Sequence, residues 1–194
     1  MRVLFLSNND NTKKLYKWLS EKCEVHFWNQ KLNIDFLRTI IPDLIISFNY
    51  KFIIENEVIE WMNGNIINLH ISLLPWNRGA NPNYWSFVDN TPKGVTIHRI
   101  SSKLDAGLII CQKELEFDIE TETFKSSYEK LNEEIINLFI DNWEKIQDEN
   151  YEPKEQKGIG SYHSIRDFET MMMRYPVCWE DNIGEYLKKI LRDM

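Results

Sequence analysis

Short apolar runs alternating with polar turns fill the chain up to His70. Val3-Leu4-Phe5-Leu6 has the pattern of a buried strand and is closed by the polar turn Ser7-Asn8-Asn9-Asp10-Asn11. Asn11-Thr12 is placed to cap a helix that carries Leu15, Trp18 and Leu19 on one face. Val25 to Trp28 reads as a second strand, Leu37 to Ile41 as a short helix stopped near Pro42, and Leu44 to Phe48 as a third buried run. A helix around Ile54 to Trp61, ended by Asn63-Gly64, leads into a fourth strand, Ile66 to His70. Strands alternating with short helices predict a parallel, doubly wound sheet.

The texture changes after His70. Ser72 to Pro82 combines two prolines, a glycine and polar residues, and reads as a long loop. A helix from about Pro82 to Val88 follows, with proline in the first turn, where its missing N–H costs nothing. Val95 to Ile100 alternates as a strand does, and Leu108-Ile109-Ile110 forms another after the polar loop Ser101 to Gly107. Phe124, Tyr128, Leu131, Ile135, Leu138, Phe139 and Ile146 recur at helical spacing and predict one long amphipathic helix. Lys154 to Gly160 reads as a polar linker, and the remainder as a mostly helical tail.

Composition narrows the function classes. The net charge of −7 opposes a protein built to grip a phosphate backbone, so no nucleic-acid partner is expected. No apolar run reaches the roughly 18–20 residues of a membrane span, so no membrane partner is expected either. Cys23, Cys111 and Cys178 are scattered; with no secretory start, they imply reduced thiols and a cytoplasmic location. His26, His70, His98 and His163 show no ligand spacing, so no metal is expected.

The fourth strand ends in Asn68-Leu69-His70. Residues i and i+2 of a strand share a face, so an amide and an imidazole project side by side at the edge where open parallel sheets bind ligands. Taken alone, this pair is equally consistent with a core histidine satisfied by its neighbour. Asp105, in Asp-Ala-Gly, reads by itself as a turn.

Asn68-Leu69-His70-Ile71-Ser72-Leu73-Leu74-Pro75, Arg78-Gly79-Ala80, Gly94-Val95-Thr96-Ile97-His98, Leu104-Asp105-Ala106-Gly107-Leu108-Ile109 and Gln112 follow one another at intervals that resemble those of the formyltransferases using N10-formyltetrahydrofolate. The likeness covers roughly residues 1–120 and, loosely, the long helix. It implies an α/β, Rossmann-like formyltransferase fold with a mostly parallel sheet and a short helical C-terminal tail. The catalytic domain would be 1–160, with residues 161–194 as a tail packed on the same domain. It also implies N10-formyltetrahydrofolate as co-substrate and Asn68, His70 and Asp105 as the catalytic set. When a neutral amine adds to a formyl carbon, a tetrahedral intermediate forms whose oxyanion needs hydrogen-bond donors and whose nitrogen must lose a proton. Asn68 and His70 would donate; Asp105 would orient the imidazole and take up a proton. For the folate, the resemblance points to Phe48, Asn49, Tyr50, Phe52 and Ile53 on one wall and Ser101 and Leu104 on the other. Glu55 stands where relatives often carry proline.

Trp76, Asn77, Arg78, Asn81, Asn83 and Tyr84 are the expected acceptor-side residues, with Trp85 beside them; Ser72 and Arg78 are also placed to orient the catalytic loop. The first turn has no glycine, unlike the phosphate-cradling turn of glycinamide ribonucleotide enzymes. The chain also lacks the large second domain of methionyl-tRNA enzymes. The run from Leu74 to His98 looks most like bacterial sugar N-formyltransferases, which makes a small-molecule amino-sugar nucleotide the expected partner. A different formylated amine, on an aminoacyl carrier, glycinamide ribonucleotide or methionyl-tRNA, is the alternative, as is a non-catalytic folate- or nucleotide-binding protein. A homodimer is open on the sequence alone.

Overall fold

The computed structural model describes residues 1–192; Asp193 and Met194, the end of the expected tail, lie outside the described residues. The strands β1 (Arg2–Leu6), β2 (Glu24–Trp28), β3 (Leu44–Phe48) and β4 (Ile66–His70) alternate with helices α1 (Lys13–Ser20), α2 (Ile34–Ile40) and α3 (Asn56–Trp61). Strands β6 (Gly94–Arg99) and β7 (Ile109–Glu114) complete a six-stranded sheet of order β2-β1-β3-β4-β6-β7. The pairs β1–β2, β1–β3 and β3–β4 are parallel. Between β4 and β6 lie the two-residue strand β5 (Arg78–Gly79) and helix α4 (Pro82–Val88). After β7 come α5 (Phe124–Asp141), α6 (Trp143–Gln147), β8 (Tyr162–His163), α7 (Ile165–Arg174) and α8 (Ile183–Arg192).

Local chemistry accounts for the element boundaries. Asn9, not Asn11-Thr12, caps the first turn, a 3-10 turn over Asp10–Thr12 that runs into α1. Asn33 caps α2 by accepting the Phe36 N–H, which starts that helix earlier than the apolar pattern alone shows. The long helix breaks at Asn142, whose side-chain amide donates to the Leu138 carbonyl at 2.8 Å and takes a bond the helix would otherwise use. The expected loop pairs with the start of the expected helical tail: β5 and β8 run parallel, Arg78 against Tyr162 and Gly79 against His163.

The chain divides into two compact units. The first comprises residues Met1–His70, Ile97–Cys111 and Glu144–Glu155. Its core joins Leu4, Leu6, Ile45 and Ile66 of the sheet to Leu37 and Val58 of α2 and α3. The second comprises Ile71–Thr96, Gln112–Trp143 and the chain from Gln156 onward. Tyr175, Ile183, Tyr186 and Ile190 of the tail share one core cluster with Tyr84, Trp85 and Phe87 of α4 and Phe124 of α5.

Candidate active site

In the first unit β4 projects Asn68 and His70 from one face, and β6 sets His98 beside them. His98 is almost fully buried, at 1% exposure. Its Nδ1 lies 2.9 Å from the Arg99 carbonyl, which can only accept, so Nδ1 carries the proton. In the neutral ring Nε2 then accepts from the Asn68 side-chain amide at 3.2 Å. That amide also donates to Asp105 Oδ1 at 3.4 Å. The other Asp105 oxygen faces His70 Nδ1 at 3.9 Å, an ion-pair separation longer than a hydrogen bond. Asp105 Oδ1 and His98 Nε2 are 3.6 Å apart. The His70 and His98 rings meet nearly edge-on, 6.1 Å between centroids.

The loop that delivers Asp105 is tightly constrained. Asp105 sits at φ 48, in the left-handed region that aspartate tolerates better than most residues. Two residues on, a Cβ at Gly107 would fall 1.7 Å from the Arg99 carbonyl oxygen, so only glycine fits. The Arg99 N–H then bonds the Leu108 carbonyl at 2.8 Å and closes the loop. A carboxylate, two imidazoles and an amide are thereby gathered at one point, each largely shielded from water.

The residues expected at the folate divide by exposure. Phe48 is fully buried in β3, so its side chain belongs to the core and only its backbone remains for a ligand. Asn49, at φ 53, gives its carbonyl to the Asn8 N–H and its amide to Asn11. The half-buried Tyr50 donates to the Gln30 carbonyl, and Phe52 lies 5.4 Å from it, ring to ring. Ile53 is 70% exposed and Leu104 49% exposed, two large apolar side chains held out on separate loops of the same unit. Ser101 turns its hydroxyl to the Lys103 carbonyl. Exposed apolar side chains of this kind suit a flat heterocycle better than water.

The expected acceptor-side residues all lie in the second unit, and three of them are buried. Asn77 is fully buried, its amide donating to Thr91 Oγ1 at 2.7 Å and its side-chain oxygen accepting from Ser161. Asn83 is buried in α4, donating to the Phe124 carbonyl and accepting from Ser127. Tyr84 is buried among aromatic rings with its hydroxyl on that of Tyr186, and desolvation pushes its pKa well above the usual phenol range. Each of these three polar groups is committed to folding the unit. Trp85 is likewise buried, stacked on His163 at 3.9 Å. Trp76 and Arg78 are half-buried and Asn81 is exposed, so these three remain within reach of a ligand. The sequence reading missed His98, Gln156 and Ser161: the first was one of four histidines without ligand spacing, the second sat in apparent linker and the third at the start of the expected tail. Among the described residues no three His, Cys, Asp or Glu side chains cluster as metal ligands would.

The sheet order defines a Rossmann-like α/β protein, with a polar set gathered at the C-terminal edge of β4. A model of the formyl transferase family matches residues 12–142, about two thirds of the chain, and the chain belongs to that family. It is 37% identical to methionyl-tRNA formyltransferase of Thermotoga maritima over 146 residues, 72% of this chain but 46% of that protein. It is 29% identical to dTDP-4-amino-4,6-dideoxyglucose formyltransferase of Mycobacterium tuberculosis, over 76% of this chain and 62% of that protein. The chain thus spans less than two thirds of the length of these curated relatives. The crystal structure of the formyltransferase PseJ from Anoxybacillus kamchatkensis, in complex with UDP-4,6-dideoxy-4-formamido-L-AltNAc and tetrahydrofolate, superposes with a TM-score of 0.88 at 37% identity. That match covers 96% of this chain and 97% of PseJ.

Proposed function

We propose that this protein transfers a formyl group from N10-formyltetrahydrofolate to the amino group of a nucleotide-linked amino-deoxysugar. The observation that carries the reading is the near-complete, two-way coverage with PseJ, a formyltransferase seen with a UDP-linked formamido sugar and tetrahydrofolate. The exposed apolar side chains of Ile53 and Leu104 support the reading, since each would lose contact with water against a pterin. The bound folate would supply an activated formyl carbon.

The chain's own groups do the rest. As an amine adds to that carbon, negative charge grows on the formyl oxygen, and the His70 imidazole and the Asn68 N–H that would turn to it from Asp105 Oδ1 supply the donors. A protonated His70 carries N–H at both nitrogens, one turned toward Asp105 and the other available to the oxygen. Asp105 stabilises that imidazolium and, directly or through water, receives the proton the amine must shed. On collapse of the intermediate the bond between the formyl carbon and the folate N10 would break, and N10 would leave with that proton as tetrahydrofolate. His98 holds the Asn68 amide from behind.

The first turn supports a sugar nucleotide over glycinamide ribonucleotide. A phosphate cradle needs backbone N–H groups pointing at the ligand. Here the N–H of Asn8 goes to the Asn49 carbonyl, that of Asn9 to Ser7 Oγ, that of Asn11 to Asn9 Oδ1 and that of Thr12 to the Asn9 carbonyl. Two backbone carbonyls, a serine hydroxyl and one asparagine side chain take the N–H groups that an anion would need. Steady-state turnover with formyl-folate across a panel of amino-sugar nucleotides tests the reading. A higher kcat/KM for glycinamide ribonucleotide or charged initiator tRNA than for every sugar nucleotide would overturn it.

A further inference from the structure

Residues 156–163 bind back onto residues 75–80 of the same unit. The Ser161 N–H donates to the Pro75 carbonyl, and the Ser161 carbonyl accepts from the Arg78 N–H at 3.0 Å. Ser161 Oγ accepts from the Asn77 N–H at 2.8 Å, and the His163 carbonyl from the Ala80 N–H at 2.8 Å. Two glycines permit this approach. At Gly160 (φ +66) a Cβ would lie 2.1 Å from the Pro75 carbonyl oxygen, and at Gly79 (φ +90) 2.2 Å from that of His163. The backbone is therefore anchored before, at and after Arg78.

The Arg78 side chain is anchored as well, by an uncharged group. Its Nε and Nη2 both donate to Gln156 Oε1, at 2.9 and 2.6 Å. Among the described residues no carboxylate lies within ion-pair distance of Arg78, in a chain whose acids outnumber its bases. A carboxylate at position 156 would orient the guanidinium equally well and cancel its charge. A carboxamide orients it and leaves the charge intact. A half-buried cation without a counter-charge is costly to desolvate, and an arriving anion offsets that cost. The N–H groups that Gln156 does not use retain the fork geometry that matches phosphate oxygens.

We propose that Arg78, positioned by Gln156, is the group that binds the diphosphate of the nucleotide-linked acceptor. The identity of that diphosphate rests on the proposed function; the anion site itself rests on the Arg78–Gln156 geometry. The test is calorimetric binding of UDP against uridine, with dTDP against thymidine in parallel, scored on whichever base binds more tightly. The wild-type protein should bind the diphosphate more tightly than its nucleoside. Arg78→Gln should weaken the diphosphate by roughly ten- to a hundredfold and leave the nucleoside unchanged. Gln156→Glu, which keeps the clamp but neutralises it, should weaken the diphosphate severalfold, again sparing the nucleoside. If Arg78→Gln does not fold, as judged by circular dichroism, Gln156→Glu carries the test alone. Unchanged diphosphate affinity in either folded variant, equal weakening of nucleoside and diphosphate, or no preference for the diphosphate in the wild type would overturn the proposal. Turnover is scored separately. Diphosphate binding that depends on Arg78, without turnover of any amino-sugar nucleotide, would leave the anion site standing and remove the proposed acceptor. Turnover with unchanged affinity in both variants would do the reverse.

Discussion

Asp105 faces two imidazoles and an amide from a backbone conformation that few residues adopt, so its replacement tests chemistry and geometry together. His70→Ala and Asp105→Ala should each leave a folded protein whose kcat is lower by about two orders of magnitude or more, the scale of losing one group that stabilises a developing oxyanion. Near-wild-type turnover in either would remove the assignment. Asn68→Ala should lower kcat more than it raises KM, because its hydrogen bond matters most as charge develops. His98 touches Asn68 rather than the reacting atoms, so it is a positioning residue. His98→Gln, which can still accept from Asn68, should retain more kcat than His98→Ala at similar KM. Asn68 and His70 were legible because strand alternation alone places i and i+2 together. Asp105 became legible only through the family resemblance, since a turn residue carries no periodicity. His98 was not legible, because its partner lies on another strand and sequence does not state the register between them. The burial of Asn77, Asn83 and Tyr84 was not legible for a related reason: Thr91, Ser161, Phe124, Ser127 and Tyr186, which satisfy them, are distant in sequence.

Strands and helices were read more securely than the segments between them. The apolar runs of β1, β3 and β4 are buried almost throughout, and such runs announce themselves without knowledge of neighbours. The pairing of β5 with β8 had no such signal, being two residues long on each side and resting on glycine clearance instead of side-chain pattern. The loop carrying Asp105 also depends on clearance. Gly107→Ala should lower the midpoint of thermal unfolding by several degrees, consistent with about 1–3 kcal/mol for forcing a methyl group against backbone. Gly158→Ala, at φ +89 but with nothing within 4 Å of the added carbon, is the control and should cost less. Equal losses in differential scanning calorimetry would show that the Arg99 contact at Gly107 costs no more than the left-handed backbone at Gly158.

At the scale of the molecule, the chain matches PseJ end to end but only part of the curated relatives, and selectivity is where that difference should show. A nucleotide-linked amino sugar should be the preferred acceptor, and its rate should fall as pH drops below the pKa of its amine, because only the neutral amine attacks. A rate that stays flat through that pH range would contradict rate-limiting attack by the amine. The thiols give a separate check on the fold. Burial pushes the Cys111 pKa up to about 11, whereas Cys178 is exposed. Iodoacetamide at pH 8 should therefore label Cys178 first and Cys111 slowly, as read by peptide mass mapping. Comparable labelling rates would mean that Cys111 is not shielded in solution.

The bond between His98 Nδ1–H and the Arg99 carbonyl also offers a spectroscopic handle on the site. A ring proton bonded to a carbonyl and sealed from water exchanges slowly, so it should give a resolved downfield line in a proton NMR spectrum. Because the opposite nitrogen of the same ring accepts from Asn68, any ligand that draws on the Asn68 amide would change the electron density of that ring and move the line. One resonance, needing neither turnover nor a labelled substrate, would then report when the site is filled.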